Sequence, residues 1–399
     1  MTGSSSAEPR QTEAMFSAPI AGTRVGTTTI VAGLVLPQGV LRVVGWPEVG
    51  PAWTTDALQD VGWTPDADLH VDPAGDGVAL VWRGNLAGKP ARTAVVLGPK
   101  GERRGDAVSV GGSFCATGPG FAWVDPPAHG PAHVRARSWA DVAPHEVATV
   151  PSDRAASVLC GDHDVFLLGD GDDDLTSTTF TPEDTKAPPP VVVIRDTDFG
   201  DDDEREHHVY TAGDTLGLVR VSGSGAVALR DVSRGTVSPW RRLKHRIGQD
   251  DDVVATDGDS VATVVVFTHD VEDICDGGST AESLRALRVD RATGQDAVVS
   301  LAQPDCRKGR GPFWVATPPA GPLVAWVERA TNASGGGAPI DALLFGGVSA
   351  DAGSAGRAEL AADALAQVGC DETCWIAALV RATDTDGSQP EAIVVRSYP

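Results

Sequence analysis

Apolar residues along this chain come in short runs of about four to seven, each cut off by Gly, Pro or Asp. One unit recurs: an apolar run, a turn of Gly and Asp, then a second apolar run closing on a large side chain. It reads IVAGLVLPQGVLRVVGW up to Trp46, LHVDPAGDGVALVW up to Trp82 and SFCATGPGFAW up to Trp123. It continues as SVLCGDHDVFLL (Leu168), HVYTAGDTLGLVR (Arg220) and VVATDGDSVATVVVF (Phe267). It ends as FWVATPPAGPLVAW (Trp326) and AQVGCDETCWIAALV (Val380). Runs this uniformly apolar have no solvated face, as expected of sheets packed between sheets.

The anchors lie about 48 residues apart on average, the length of a four-stranded propeller blade. The pattern predicts an all-β chain, a single β-propeller of eight blades, or of seven if the Trp46 unit stands outside the repeat. The first run of each unit is read as strand A and the second as strand B. Strand C follows, as in TAVVLG at 93–98 and EAIVVRSY at 391–398. The last unit ends after strand C. The stretch EAMFSAPI at 13–20 has no A or B before it, so it is expected to join the C-terminal blade and close the ring, leaving no raw edge. Residues 1–12, small and polar, are read as a flexible tether and 13–399 as the propeller domain. The repeats resemble the P-x-V-A…G…LVVW repeats of secreted and lipoprotein propellers of GC-rich bacteria. That resemblance covers nearly the whole chain past Thr12 and implies the fold without implying an activity. The S-x-D-x-G-x-x-W box of sialidases is absent.

Asp and Glu number 55 against 32 Lys and Arg, a net charge of −23. That field repels nucleic acid and anionic membranes and complements a cation or a basic protein. The start, MTGSSSAEPRQTEA, resembles the spacer that follows the lipidated Cys of bacterial lipoproteins, so contact with a membrane is expected only through an N-terminal lipid anchor. The six cysteines fit no zinc or haem spacing. Cys370 and Cys374 flank an A–B turn. Cys115 and Cys160 hold equivalent positions at the ends of strand A in neighbouring blades, and Cys275 and Cys306 remain. Three disulfides on that scheme place the chain outside the reducing cytoplasm, in the periplasm, on the outer-membrane surface or secreted. Buried free thiols are the other reading.

Three acid-rich loops carry the oxygen donors that a hard cation such as Ca²⁺ needs. They hold Asp170, Asp172 and Asp174; Asp196, Asp198 and Asp202; and Asp384, Asp386 and Glu391. The second departs from the EF-hand loop, having His207 at its twelfth position. The A–B turns carry Asp76, Asp162, Asp214, Asp257 and Asp371, which the blade reading puts on one negative face. SPWRRLKHR is the basic cluster, where Trp240, Arg241 and Arg242 suit a carboxylate or sugar acid. No G-x-S-x-G, H-E-x-x-H or P-loop motif is present. The expected function is therefore a non-catalytic, extracytoplasmic binding or scaffold propeller engaging a protein partner, by its charge complement a basic one. The alternatives are a carbohydrate-active enzyme or lectin, glycosidase- or lyase-like, with its site at the propeller axis, or a structural subunit of a surface assembly.

Overall fold

The computed structural model describes residues 10–35, 38–125, 129–139, 141, 143–172, 174–195, 198, 204–271, 281–305, 308–316, 322–330, 342–347, 355–358, 364–370, 374–381 and 391–398. Among them no α-helix occurs, and no helix is long and apolar enough to cross a membrane. The strands form eight antiparallel sheets.

After β1 (Arg10–Met15), sheet one holds β2 (Ser17–Val25), β3 (Thr28–Val35), β4 (Val40–Pro47) and β5 (Trp53–Leu58). Sheet two holds β6 (Val61–Gly62), β7 (Asp68–Ala74), β8 (Gly77–Leu86), β9 (Lys89–Leu97) and β10 (Val108–Ser109). Sheet three holds β11 (Phe114–Ala116), β12 (Gly120–Asp125), β13 (Ala132–Ser138) and β14 (His145–Val150). Sheet four holds β15 (Ala155–Cys160), β16 (Val165–Asp170), β17 (Asp174–Phe180) and β18 (Val191–Arg195). Sheet five holds β19 (Glu204–Ala212), β20 (Thr215–Ser222), β21 (Ala226–Ser233), β22 (Thr236–Val237) and β23 (Arg241–Arg246). Sheet six holds β24 (Asp252–Gly258), β25 (Ala262–Val271), β26 (Ala281–Asp290) and β27 (Asp296–Ala302). Sheet seven holds β28 (Lys308–Ala316), β29 (Leu323–Ala330), β30 (Ala342–Gly347) and β31 (Ala355–Ala358). Sheet eight joins β32 (Ala364–Cys370), β33 (Cys374–Arg381) and β34 (Glu391–Tyr398) to β1.

The two five-stranded sheets keep a four-row plan. β6 and β7 lie end to end along β8, Val61 opposite Leu86 and Asp68 opposite Arg83. β22 and β23 likewise share the edge of β21.

Two compact units are distinguished: Met1–Arg195 with Ala364–Gln367 and Ile376–Arg396, and Asp196–Asp363 with Val368–Trp375 and Ser397–Pro399. Within the first, β2 lies against β7, β7 against β11 and β11 against β15. Within the second, β19 lies against β24 and β24 against β28. Strand alternation then divides a sheet between two neighbours, as in sheets two and six. Val78, Leu80 and Trp82 of β8 join the core shared with sheet one, while Ala79 and Val81 join the core shared with sheet three. Val265 and Phe267 of β25 pack with sheet five, and Val264 and Val266 with sheet seven. This two-sided burial is why the runs lack polar alternation.

Two expectations need correction. The Trp46 repeat is the second and third strands of its sheet, not the first and second, because β2 precedes it. The sequence of β2, SAPIAGTRV, mixes small and polar residues and hides its strand character. The strand that completes sheet eight is Arg10–Met15, with Arg10 opposite Val395 and Met15 opposite Ala392. Residues 17–20, assigned to it from sequence, belong to β2 instead.

Candidate functional site

The β7–β8 and β19–β20 turns are built alike. Gly75 and Gly213 adopt positive φ, +64° and +58°, as the first central residue of a two-residue hairpin, and Asp76 and Asp214 follow them. In the first unit these turns lock onto one another. Gly118 N–H donates to the Asp162 carbonyl at 2.7 Å. The Gly118 carbonyl accepts the Trp139 indole N–H at 2.6 Å, and a Cβ on Gly75 would stand 3.2 Å from that same oxygen. Three consecutive turns thus abut as one braced surface. Asp76 sits on it with its side chain 67% exposed, held at 2.6 Å by Arg104. Asp162 is exposed. Next to this row, burial raises the Asp72 carboxyl above the ordinary range, with His70 opposing.

In the second unit the equivalent region holds a titratable cluster. Tyr210 Oη pairs with Thr263 Oγ1 at 2.6 Å, and its ring covers Gly217, whose Cβ would fall 2.2 Å from it. Arg291 Nη2 meets Asp231 Oδ1 at 2.6 Å, and Nη1 donates to the Asp259 carbonyl at 3.1 Å. Asp259 Oδ1 accepts the Val261 and Ala262 N–H groups, each at 2.7 Å, which ties the β24–β25 turn. Burial pushes the Asp257 carboxyl up to about 6, a Gly258 N–H hydrogen bond opposing and Asp259 adding to the rise. Burial also raises Tyr210, against its bond to Thr263.

The sign of the Asp257 effect follows directly. Between about pH 4 and 6 the folded chain holds a proton that the unfolded chain has lost, so stability falls as pH rises through that window. Above pH 6 the ionised, buried carboxylate costs about 3 kcal/mol. Asp257→Asn should therefore raise stability by up to about 3 kcal/mol at pH 8 and leave it unchanged at pH 4. Denaturant titrations at the two pH values check this, and an equal effect at both contradicts it.

The structure brings together two features that the sequence kept apart. Asp198 Oδ2 accepts the Trp240 indole N–H at 2.6 Å and Arg230 Nη1 at 3.2 Å. The Arg230 guanidinium lies 4.2 Å over the Trp240 ring. Arg241 donates to the Arg291 carbonyl at 3.1 Å, and Arg242 stands opposite Ala228. In the first acid loop Asp174 pairs with Arg154 at 2.5 Å, while Asp170 and Asp172 are exposed. Arg154 also donates to the Gly169 carbonyl at 3.3 Å. Among the described residues no three His, Cys, Asp or Glu side chains are grouped to hold a metal ion. Asp196, Asp202, Asp371, Asp384, Asp386, Cys275 and Cys306 lie outside the described residues, as do the side chains of Glu391, Cys370 and Cys374. Cys115 and Cys160 form a disulfide with Cα atoms 5.5 Å apart. Tyr210, Arg230 and Arg291 were not singled out from sequence. The one signal was an arginine directly after the apolar run AVAL in the strand AVALRDVS.

No protein-family profile and no curated protein matches the sequence. Solved structures do match. The β-propeller domain of the Trilobed protease from Pyrococcus furiosus is 10% identical, with 84% of this chain and 94% of that one covered at a TM-score of 0.50. The WD40 domain of SCAP from fission yeast is 10% identical, with 98% and 97% covered, also at 0.50. The chain is a β-propeller. Identity this low speaks for the fold alone. The Pyrococcus domain is described as having an open velcro topology, whereas in this propeller β1 supplies the outer strand of the C-terminal blade.

Proposed function

We propose that this propeller is a non-catalytic, extracytoplasmic binding module whose first-hairpin turns engage a basic protein partner. The observation that carries the reading is the bracing of the Gly75, Gly118 and Asp162 turns on one another. A braced surface loses little entropy on binding, and carboxylates on it steer and select a cationic partner. The Cys115–Cys160 disulfide supports an oxidising compartment, and an N-terminal lipid anchor would hold the domain at a membrane. Two cavities lined by described residues, about 560 and 360 Å³, carry one carboxylate, Asp66, and none. Glycoside hydrolysis draws on a pair.

Asp257, half-buried near Tyr210, favours a second reading, a carbohydrate-active site in the second unit. Decalysine serves as the probe of the first. It should bind in a salt-dependent way, and Asp76→Asn with Asp162→Asn should weaken it about tenfold at low salt. Binding unchanged in that variant contradicts the reading.

A further inference from the structure

The 560 Å³ cavity of sheet two is lined by Thr64, Asp66, Arg83, Asn85, Arg92 and the Gly111 backbone, among others. Its chemistry is unusual for a β-ladder. Arg83 and Arg92 stand directly opposite each other on β8 and β9, where like charges repel. Nothing in the strand pairing requires two cations there. Arg92 is held in place by its Nη1, which donates to the Gly112 carbonyl and, at 3.5 Å, to that of Gly111. Its Nε has no hydrogen-bond partner among the described residues. Burial, then the charge of Arg83, lowers the Arg92 pKa, so the folded site would gain from a compensating anion. Arg83 is more open, its side chain 59% exposed, and Asp66 reaches it only at 3.7 Å. The Asn85 main chain is held by the Trp82 indole N–H, which donates to its backbone carbonyl at 3.3 Å.

The geometry points to this cavity as a binding site for a small hydroxylated carboxylate of about monosaccharide size, of the uronic acid class. Two guanidinium groups suit one carboxylate. The Asn85 amide, Thr64 hydroxyl and Asp66 carboxylate suit ring hydroxyls, and the volume is far larger than a bare oxyanion needs. The site lies apart from the hairpin turns and stands independently of the protein-binding proposal.

Calorimetry of the full chain with D-glucuronate, D-galacturonate, D-glucose and inorganic phosphate tests it. At least one uronate should bind about tenfold more tightly than glucose and than phosphate. Arg83→Gln, at an exposed side chain whose contact with Asp66 is 3.7 Å long, should cost about tenfold or more in that affinity with an unchanged melting temperature. Arg92→Lys should weaken binding as well, because an ammonium loses the planar fork. No uronate binding at tens of millimolar, equal binding of phosphate, or Arg83→Gln binding at full strength each overturns the proposal.

Discussion

Removing the Cys115–Cys160 bridge with Cys115→Ser and Cys160→Ser should destabilise the chain by about 4 kcal/mol on the loop-entropy model. The bond spans 45 residues of sequence, and it staples β11 to β15, the first strands of consecutive sheets. The unfolded chain regains the freedom of that loop, while the folded chain keeps its core: Cys115 contributes little apolar surface beside Val134, Val147 and Val165. Guanidinium titration of the wild type and the double variant measures the loss. The wild type should also lose stability on adding reductant. Coincident unfolding curves for oxidised wild type and variant would show that the bridge is not formed or contributes nothing.

Trp82→Ala should cost a similar amount, about 3–5 kcal/mol. Trp82 is fully buried, 0% exposed, in the core between sheets one and two. Its indole also donates to the Asn85 carbonyl, and it presses on Gly84 so closely that a Cβ there would fall 2.5 Å from the ring. Trp63, 54% exposed, is the control: Trp63→Ala should change stability by no more than about 0.5 kcal/mol. Equal effects of the two substitutions would contradict the packing of sheet one on sheet two.

The repeat was legible because both faces of each strand are buried. Val78 to Trp82 reads as one apolar run, although alternate residues serve different neighbours. The same fact limited the reading. Without polar alternation, second and third strands look like first and second, which misplaced the Trp46 unit. The Cys115–Cys160 pair was legible because equivalent positions of adjacent repeats come together. Turn carboxylates could be picked out by the Gly-Asp chemistry of tight hairpins. Their partners could not. Arg104 reaches Asp76 across a span that no local pattern encodes, as Arg291 reaches Asp231 on β21. The Arg83–Arg92 cavity was hidden for the same reason, because cross-strand register decides which arginines meet.

The central claim is that the braced turns of the first unit, and not the net charge of the whole chain, attract a basic partner. A charge-matched comparison tests it. One variant carries Asp76→Asn and Asp162→Asn on the turns. The other carries Asp60→Asn and Asp172→Asn, exposed positions at the opposite ends of β8 and β16, by the β8–β9 and β16–β17 turns. Both have the same net charge. Decalysine affinity at low salt should fall about tenfold in the first and stay near wild type in the second. An equal loss in the two variants would show that only the overall charge acts and would contradict the claim.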